Sequence, residues 1–352
     1  MADRSRWMLV IEPEPAVLDA AAALGAEVRS VRAADVSTDA LTDLASAYGT
    51  RRILYFGDSP AVHRAVEDTL ARLFPQRTRT LRWLQDPAAM RRMLNQSRVS
   101  VVNAVTVRSV DTALAWAEHL PLPLVIKGGP DSDTAFVHSG EDLRDWAAHT
   151  PRLPGVIEEF LAGPRLVVDT FTHAGMHHVL GVTAAEDAAP VGADLLYPAA
   201  LTEAEAASVR STVRALLDLA GHESGPVRTW VVLTEGGPRI TAAQMSPVSG
   251  PFGRLREAST GRHPGADVLT LITGRAGDPP SPARFSGLAR LDTPPEPDRS
   301  RVLNLLAERA DVYDLRIVEG PVARGHAEVI IHAGSPWEVA RRATAIREQY
   351  RG

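Results

Sequence analysis

One lysine, Lys127, stands in a chain that carries 37 arginines. The excess of arginine is what a codon bias toward Arg and Ala produces. A lysine that survives such a bias marks a position where a compact ammonium does what a wide planar guanidinium cannot. Lys127 closes the apolar run 122–127 (LPLVIK) and precedes the loop 128–133 (GGPDSD). Its chemistry is that of a point cation offered to an anion at the end of a strand. Adjacent acids, Glu158 and Glu159, sit in a second apolar run, 155–161 (GVIEEFL). Arg228, Arg254, Arg256, Arg262 and Arg290 are spaced along the later half of the chain. Arginine grips phosphate or carboxylate with two parallel hydrogen bonds, which makes these five candidate anion ligands.

Several other chemistries are excluded. The absence of cysteine removes disulfides, thiolate zinc sites, iron–sulfur clusters and a Cys nucleophile. Ser249 lacks the spacing of a nucleophile elbow. His173, His177 and His178 flank a turn, and strand alternation sends His177 and His178 to opposite faces, which is no ligand set. His138, His263 and His332 stand singly and read as structural. Glu12 and Glu14 bracket the first strand-to-helix junction, where two carboxylates repel a phosphate, so no dinucleotide loop lies there. A net charge of −5 leaves no basic footprint for nucleic acid. No apolar run approaches the ~20 residues of a membrane span. The apolar stretch near the start is too short for a signal peptide, so a cytoplasmic protein is expected.

These residues need elements to hold them. With 352 residues, 45% of them hydrophobic, the chain is long enough for two to three domain units with sizeable cores. Residues 7–11, 28–31 and 53–56 read as strands alternating with helices at 17–24, 38–48 and 61–73, a small parallel sheet covered on both faces. Asp86 caps a helix over 86–98 with Pro87 as its first residue. Strands at 122–127 and 135–139 pair back on each other, and 155–161 adds a third. Hairpins are expected at 165–182 and 227–245. A Thr202-x-x-Glu205 capping box opens a helix to 219. Residues 275–284 read as a linker, and 285–352 as strand, helix, strand, strand, helix.

From Asp86 onward this order resembles the ATP-grasp superfamily of carboxylate–amine ligases. The resemblance is carried by DPAAMRRML, PLPLVIKGG…AFVHSGEDL, VIEEFLAGPRLVVDTF, GPVRTWVVLTEGGPRITAAQMSPVSGPF, STGRHPGADVLTLITG and AEVIIHAGSPWEVARRA. It implies an α/β protein, α+β in its ATP-grasp part. The implied units are a pre-ATP-grasp domain at 1–85, a small subdomain at 86–160, a large subdomain at 161–275 and a closing subdomain at 285–352. The implied activity activates a carboxylate as an acyl phosphate with ATP and lets an amine displace the phosphate. By resemblance Lys127 binds phosphate, and Glu158, Glu159, Phe160 and Leu161 form the adenine hinge. The competing view of Glu158 and Glu159 is a strand edge with exposed acids. Arg228 and Arg254 fall where basic residues serve catalysis. ATP is the implied cofactor, a small carboxylate or amine the implied partner, and a homodimer through the N-terminal domain the implied assembly.

Other family positions are changed. Arg165 replaces the acid that binds ribose hydroxyls, and a guanidinium cannot accept a hydrogen bond. Trp230 stands at the first metal carboxylate. Gln244 and Ser246 replace the Glu and Asn of Glu-x-Asn-Pro-Arg. Asp131 and Asp133 add negative charge to the phosphate loop. Mg²⁺ wants hard oxygen ligands, usually carboxylates, so this set argues against a protein-held Mg²⁺. Two readings stand level: a carboxylate–amine ligase, in specialised metabolism by the breadth of the family, and a non-catalytic pseudoenzyme that binds a small molecule or serves as a partner subunit.

Overall fold

The computed structural model describes residues 7–57, 59–74, 80, 83–117, 119, 121–129, 134–149, 153–245, 248–274, 281–292, 299–318 and 325–351. Ser246, Asp131 and Asp133 lie outside the described residues.

The expected parallel sheet at the N-terminus is present. Strands β1 (Trp7–Ile11), β2 (Glu27–Val31) and β3 (Ile53–Tyr55) pair in parallel in the order β2-β1-β3. The central β1 is the most apolar, as a strand buried on both faces must be. Helices α1 (Pro15–Ala23), α2 (Thr38–Tyr48) and α3 (Pro60–Leu73) connect and follow these strands. Ser37 caps α2 through the Ala40 amide, and Gly49 ends it in the left-handed conformation.

Helix α4 (Pro87–Ser97) begins as expected. The Asp86 carboxylate accepts from the amides of Ala88 and Ala89, and Pro87 occupies a position whose missing N–H costs nothing. A second sheet follows, built from β4 (Ala104–Val107), β5 (Leu124–Lys127), β6 (Thr134–Val137) and β7 (Gly155–Glu159) in the order β4-β7-β5-β6. Helices α5 (Val110–Ala117) and α6 (Gly140–Ala148) cover it. A Ser139–Asp142 capping box opens α6.

The third sheet has eight strands: β8 (Arg165–His173), β9 (Met176–Ala185), β10 (Leu195–Tyr197), β11 (Gly225–Thr234), β12 (Gly237–Met245), β13 (Phe285–Asp292), β14 (Val312–Val318) and β15 (His326–Ala333). Their order is β12-β11-β8-β9-β10-β13-β15-β14. The C-terminal strands therefore continue the same sheet as β8–β12. Helices α7 (Glu203–Leu219), α10 (Arg299–Ala307) and α11 (Pro336–Arg351) pack on it, and the largest core joins them to α4. The Thr202–Glu205 capping box opens α7 as expected. Two helices were not foreseen: α8 (Gly250–Thr260) and α9 (Pro264–Ile272). Helix α9 packs on β8 and α1, and Val17, Phe56, Phe171, Val248 and Val268 share the core that seats the N-terminal domain on the large sheet.

The connection from β7 to β8 passes very close to β11. Gly163 has φ 138°, and a Cβ there would collide with the carbonyl oxygen of Leu233. The Leu233 amide donates to the Pro164 carbonyl at 2.9 Å, which fixes the approach. Gly163→Ala is expected to cost about 1–3 kcal/mol through backbone strain, measured as a loss of unfolding free energy in urea.

Candidate functional site

Between the four-stranded and eight-stranded sheets lies a cleft of about 840 Å³. Small-molecule sites run to roughly 300–1,000 Å³. Lys127, Glu158, Glu159, Phe160 and Leu161 all line it, together with Phe136, Arg165, Trp230, Gln244 and Arg290. The residues that the sequence placed at a phosphate lysine and an adenine hinge thus come together on one wall.

Glu158 is not an exposed acid of a strand edge. It is 2% exposed, and β7 carries it between β4 and β5. Its Oε1 accepts from Arg91 Nε at 2.6 Å and its Oε2 from Lys127 Nζ at 2.5 Å. Arg91, equally buried, also donates to the Ser100 carbonyl at 3.0 Å and the Ile240 carbonyl at 2.5 Å. Lys127 Nζ donates a second hydrogen bond, at 2.6 Å, to the carbonyl of Thr241. That carbonyl is available for a physical reason. β12 is an edge strand, and its register with β11 shifts between Trp230 and Val231, leaving Thr241 without an opposing residue. A bulge of this kind re-aims a strand's polar groups. One carboxylate thus holds two cations, and each cation reaches across to β12. Burial lowers the pKa of Lys127; Glu158 opposes that shift and Arg91 adds to it.

The hinge is held separately. Glu159 accepts from both the amide and the side-chain nitrogen of Asn103, each at 2.9 Å. The Phe160 amide donates to the Pro123 carbonyl at 3.2 Å. Arg165 lies over the rings of Phe160 and Phe136 at 5.7 and 5.8 Å from their centroids. Arg165 and Trp230 line the cleft and leave it open.

A second cavity of about 960 Å³ lies between the N-terminal domain and the far ends of β8, β11 and β12. Arg51, Arg52, Arg64, Arg228, Arg254 and Arg316 line it, facing an apolar part that includes Phe56, Phe171 and Ile317. His173 also lines it, with its pKa lowered by burial, then by Arg52 and His178. Gln244 lines both cavities.

The arginines divide. Arg228 donates from Nε to Asp169 at 2.7 Å and lies 4.0 Å from the Phe252 ring centroid, near the junction of the cavities. Arg254 has both terminal nitrogens on carboxylates, Asp314 at 2.6 Å and Glu328. Both prongs of its fork are engaged within the wall of the second cavity, while its Nε is buried without a hydrogen-bond partner among the described residues. Arg256 and Arg262 line neither cavity; both pair with Asp267, at 3.1 and 3.2 Å. They brace α8 and the turn after it against α9, and so are not among the arginines that face a cavity. Arg290 lines the cleft, half-exposed, with Glu328 at 3.5 Å.

The donors fit the two ionic partners unequally. A nucleotide phosphate finds Lys127, Arg165 and Arg290 in one cleft, with apolar Phe136, Leu161 and Trp230 nearby. A divalent cation finds the indole of Trp230 and the neutral amide of Gln244, and no group of three or more His, Asp or Glu is placed to hold a metal among the described residues. The protein groups do not fit a carboxylate-caged Mg²⁺.

Arg91 and Asp169 escaped the sequence reading. Arg91 had a legible signal: it lies three residues after Ala88 and three before Leu94, on the buried face of α4. Asp169 had none, because its pairing with Arg228 depends on β8 lying beside β11.

The architecture is the ATP-grasp fold. No protein-family model matches the chain, and no curated protein matches it in sequence. Solved structures do resemble it over nearly its whole length. The L-amino acid ligase from Bacillus licheniformis has a TM-score of 0.72 at 16% identity, covering 98% of this chain and 97% of that one. An N5-carboxyaminoimidazole synthase from Aspergillus clavatus, in complex with ADP and 5-aminoimidazole ribonucleotide, has a TM-score of 0.69 at 13% identity, covering 99% of both chains. The phosphoribosylglycinamide synthetase from Anaerococcus prevotii reaches 0.64 at 11% identity, covering 98% of both. Among the described residues, no helix is long and apolar enough to cross a membrane.

Arg91→Met removes one of the two cations that share Glu158. Breaking a buried ion pair by removing one partner typically costs about 3–5 kcal/mol, and Lys127 keeps part of the compensation, so a loss near ~3 kcal/mol is expected in urea unfolding.

Proposed function

We propose that the chain is an ATP-dependent carboxylate–amine ligase, with nucleotide in the cleft and the carboxylate substrate in the adjoining cavity. The observation that carries this reading is the meeting of the two cavities at Gln244. A phosphoryl-transfer enzyme works chiefly by positioning and by stabilising charge, so donor and acceptor must be held side by side. When bound, ATP supplies the phosphoryl group that activates the carboxylate. The chain's own groups do the rest. The hinge 158–161 and the ring faces of Phe136 and Trp230 hold the base. Lys127 and Arg290 meet phosphate charge. Arg228, fixed by Asp169 and Phe252, orients an anion at the junction. The likeness to an L-amino acid ligase makes amino acids the first substrates to test.

The test is incubation of the chain with ATP and pooled amino acids, following ADP release and condensed products by mass spectrometry. ADP release that requires both a carboxylate and an amine is the expected result. Tight ATP binding with no ADP above background would overturn the ligase reading in favour of a non-catalytic binding subunit. That second reading is favoured by one observation, the neutral residues Trp230 and Gln244 where the family carries metal carboxylates.

Lys127 binds anions only as the ammonium. Because burial lowers its pKa, that charge is lost as pH rises through a value below that of an ordinary lysine. ATP affinity should therefore fall in alkaline solution earlier than a surface lysine predicts. Lys127→Arg, which keeps its charge, should bind ATP more weakly than the parent at neutral pH and show a flatter pH profile by calorimetry.

A further inference from the structure

The carboxylates of the cleft carry an inference that deepens the nucleotide-binding reading and rests on it. Among the described residues, three carboxylates line this cleft: Glu158, Glu159 and Asp194. Each is engaged. Both oxygens of Glu158 are taken by Arg91 and Lys127, and both oxygens of Glu159 by Asn103. Asp194 Oδ2 accepts from the Arg290 amide at 2.6 Å and from Arg347 Nη2 at 2.7 Å. Glu158 and Glu159 are neighbours at the end of β7 and Asp194 stands just before β10, and each has its own partner to neutralise or satisfy it. Among the described residues, what remains for a metal is the neutral amide of Gln244 and hydroxyls such as Thr134. Hard divalent cations take anionic oxygens by preference, so this lining offers them little.

The cations show the opposite state. Lys127 has three donors and spends two, on Glu158 and Thr241. Arg290 has five donors, and among the described residues its guanidinium pairs with Glu328 alone, at 3.5 Å, with 46% of its side-chain surface exposed. Its guanidinium is anchored loosely at one edge and keeps donors for a phosphate, in the paired geometry that arginine favours. Arg165 adds a third positive group, lying over the rings of Phe136 and Phe160.

We propose that the nucleotide is bound here without a protein-held divalent cation, its phosphate charge being met by Lys127 and Arg290. Charge neutralisation during phosphoryl transfer then falls to side chains, a task arginine performs well.

Titration calorimetry with ATP, on the full chain, in excess EDTA and in excess Mg²⁺, tests this directly. A Kd in EDTA tighter than the Mg²⁺ value, or within about threefold of it, is expected. A weaker Kd in EDTA than that overturns the inference and leaves nucleotide binding intact. No binding in either buffer overturns both. Arg290→Gln keeps the fold, since the side chain is half-exposed, and an unchanged melting temperature checks this. Its Kd for ATP in EDTA should rise about tenfold, the loss of one charge-assisted hydrogen bond. An unchanged Kd removes Arg290 from the assignment.

Discussion

The carboxylate of Glu158 is the point at which three parts of the molecule are tied. Helix α4 sends Arg91 to one oxygen, strand β5 sends Lys127 to the other, and both cations continue to consecutive carbonyls of β12. A lone buried carboxylate would be neutralised or expelled, and two buried cations without it would repel each other. Together they form a set in which each member makes the others tolerable. The set also fixes how close the four-stranded sheet stands to the edge of the eight-stranded one. The cleft is the space beside that tie, and its width follows from the lengths of these side chains.

The second organising constraint is the continuity of the large sheet. Strands β13–β15 extend the surface begun by β8–β12, so the C-terminal segment is structural floor as well as cover. Through Glu328 the last strands also reach Arg254 and Arg290, one on each cavity. The wall between the cavities is thus a chain of opposite charges, and it is rigid because α8, β13 and β15 pack on one another.

Much of the fold was legible in local chemistry. Caps at Asp86 and Thr202 and the alternation of strand and helix are written in short windows, and each reappears in the structure. Lys127 was legible because its type was rare. The rest was not local. Glu158 stood open between a hinge residue and an exposed strand-edge acid, since nothing near it in sequence announces Arg91, 67 residues earlier. Arg256 and Arg262 looked like ligand grips because Asp267 stands on a separate helix that the sequence reading did not resolve. Arginine was too abundant for its type to carry information, so only geometry could sort spent guanidinium groups from available ones.

The irregularity in β12 has a consequence for how the chain tolerates change. The acceptors for Arg91 and Lys127 on that strand are main-chain oxygens. Any amino acid at 240 or 241 supplies the same oxygen, so the identity of those side chains is invisible to the two cations. The number of residues is not. Removing one residue from β12 would restore regular pairing with β11 and withdraw the unopposed carbonyl from the lysine. The tie is therefore encoded in the length of a strand and not in its spelling. Substitution at 240 answers to the core that buries Ile240 and not to the two cations, while a single-codon deletion would undo the join between the two sheets.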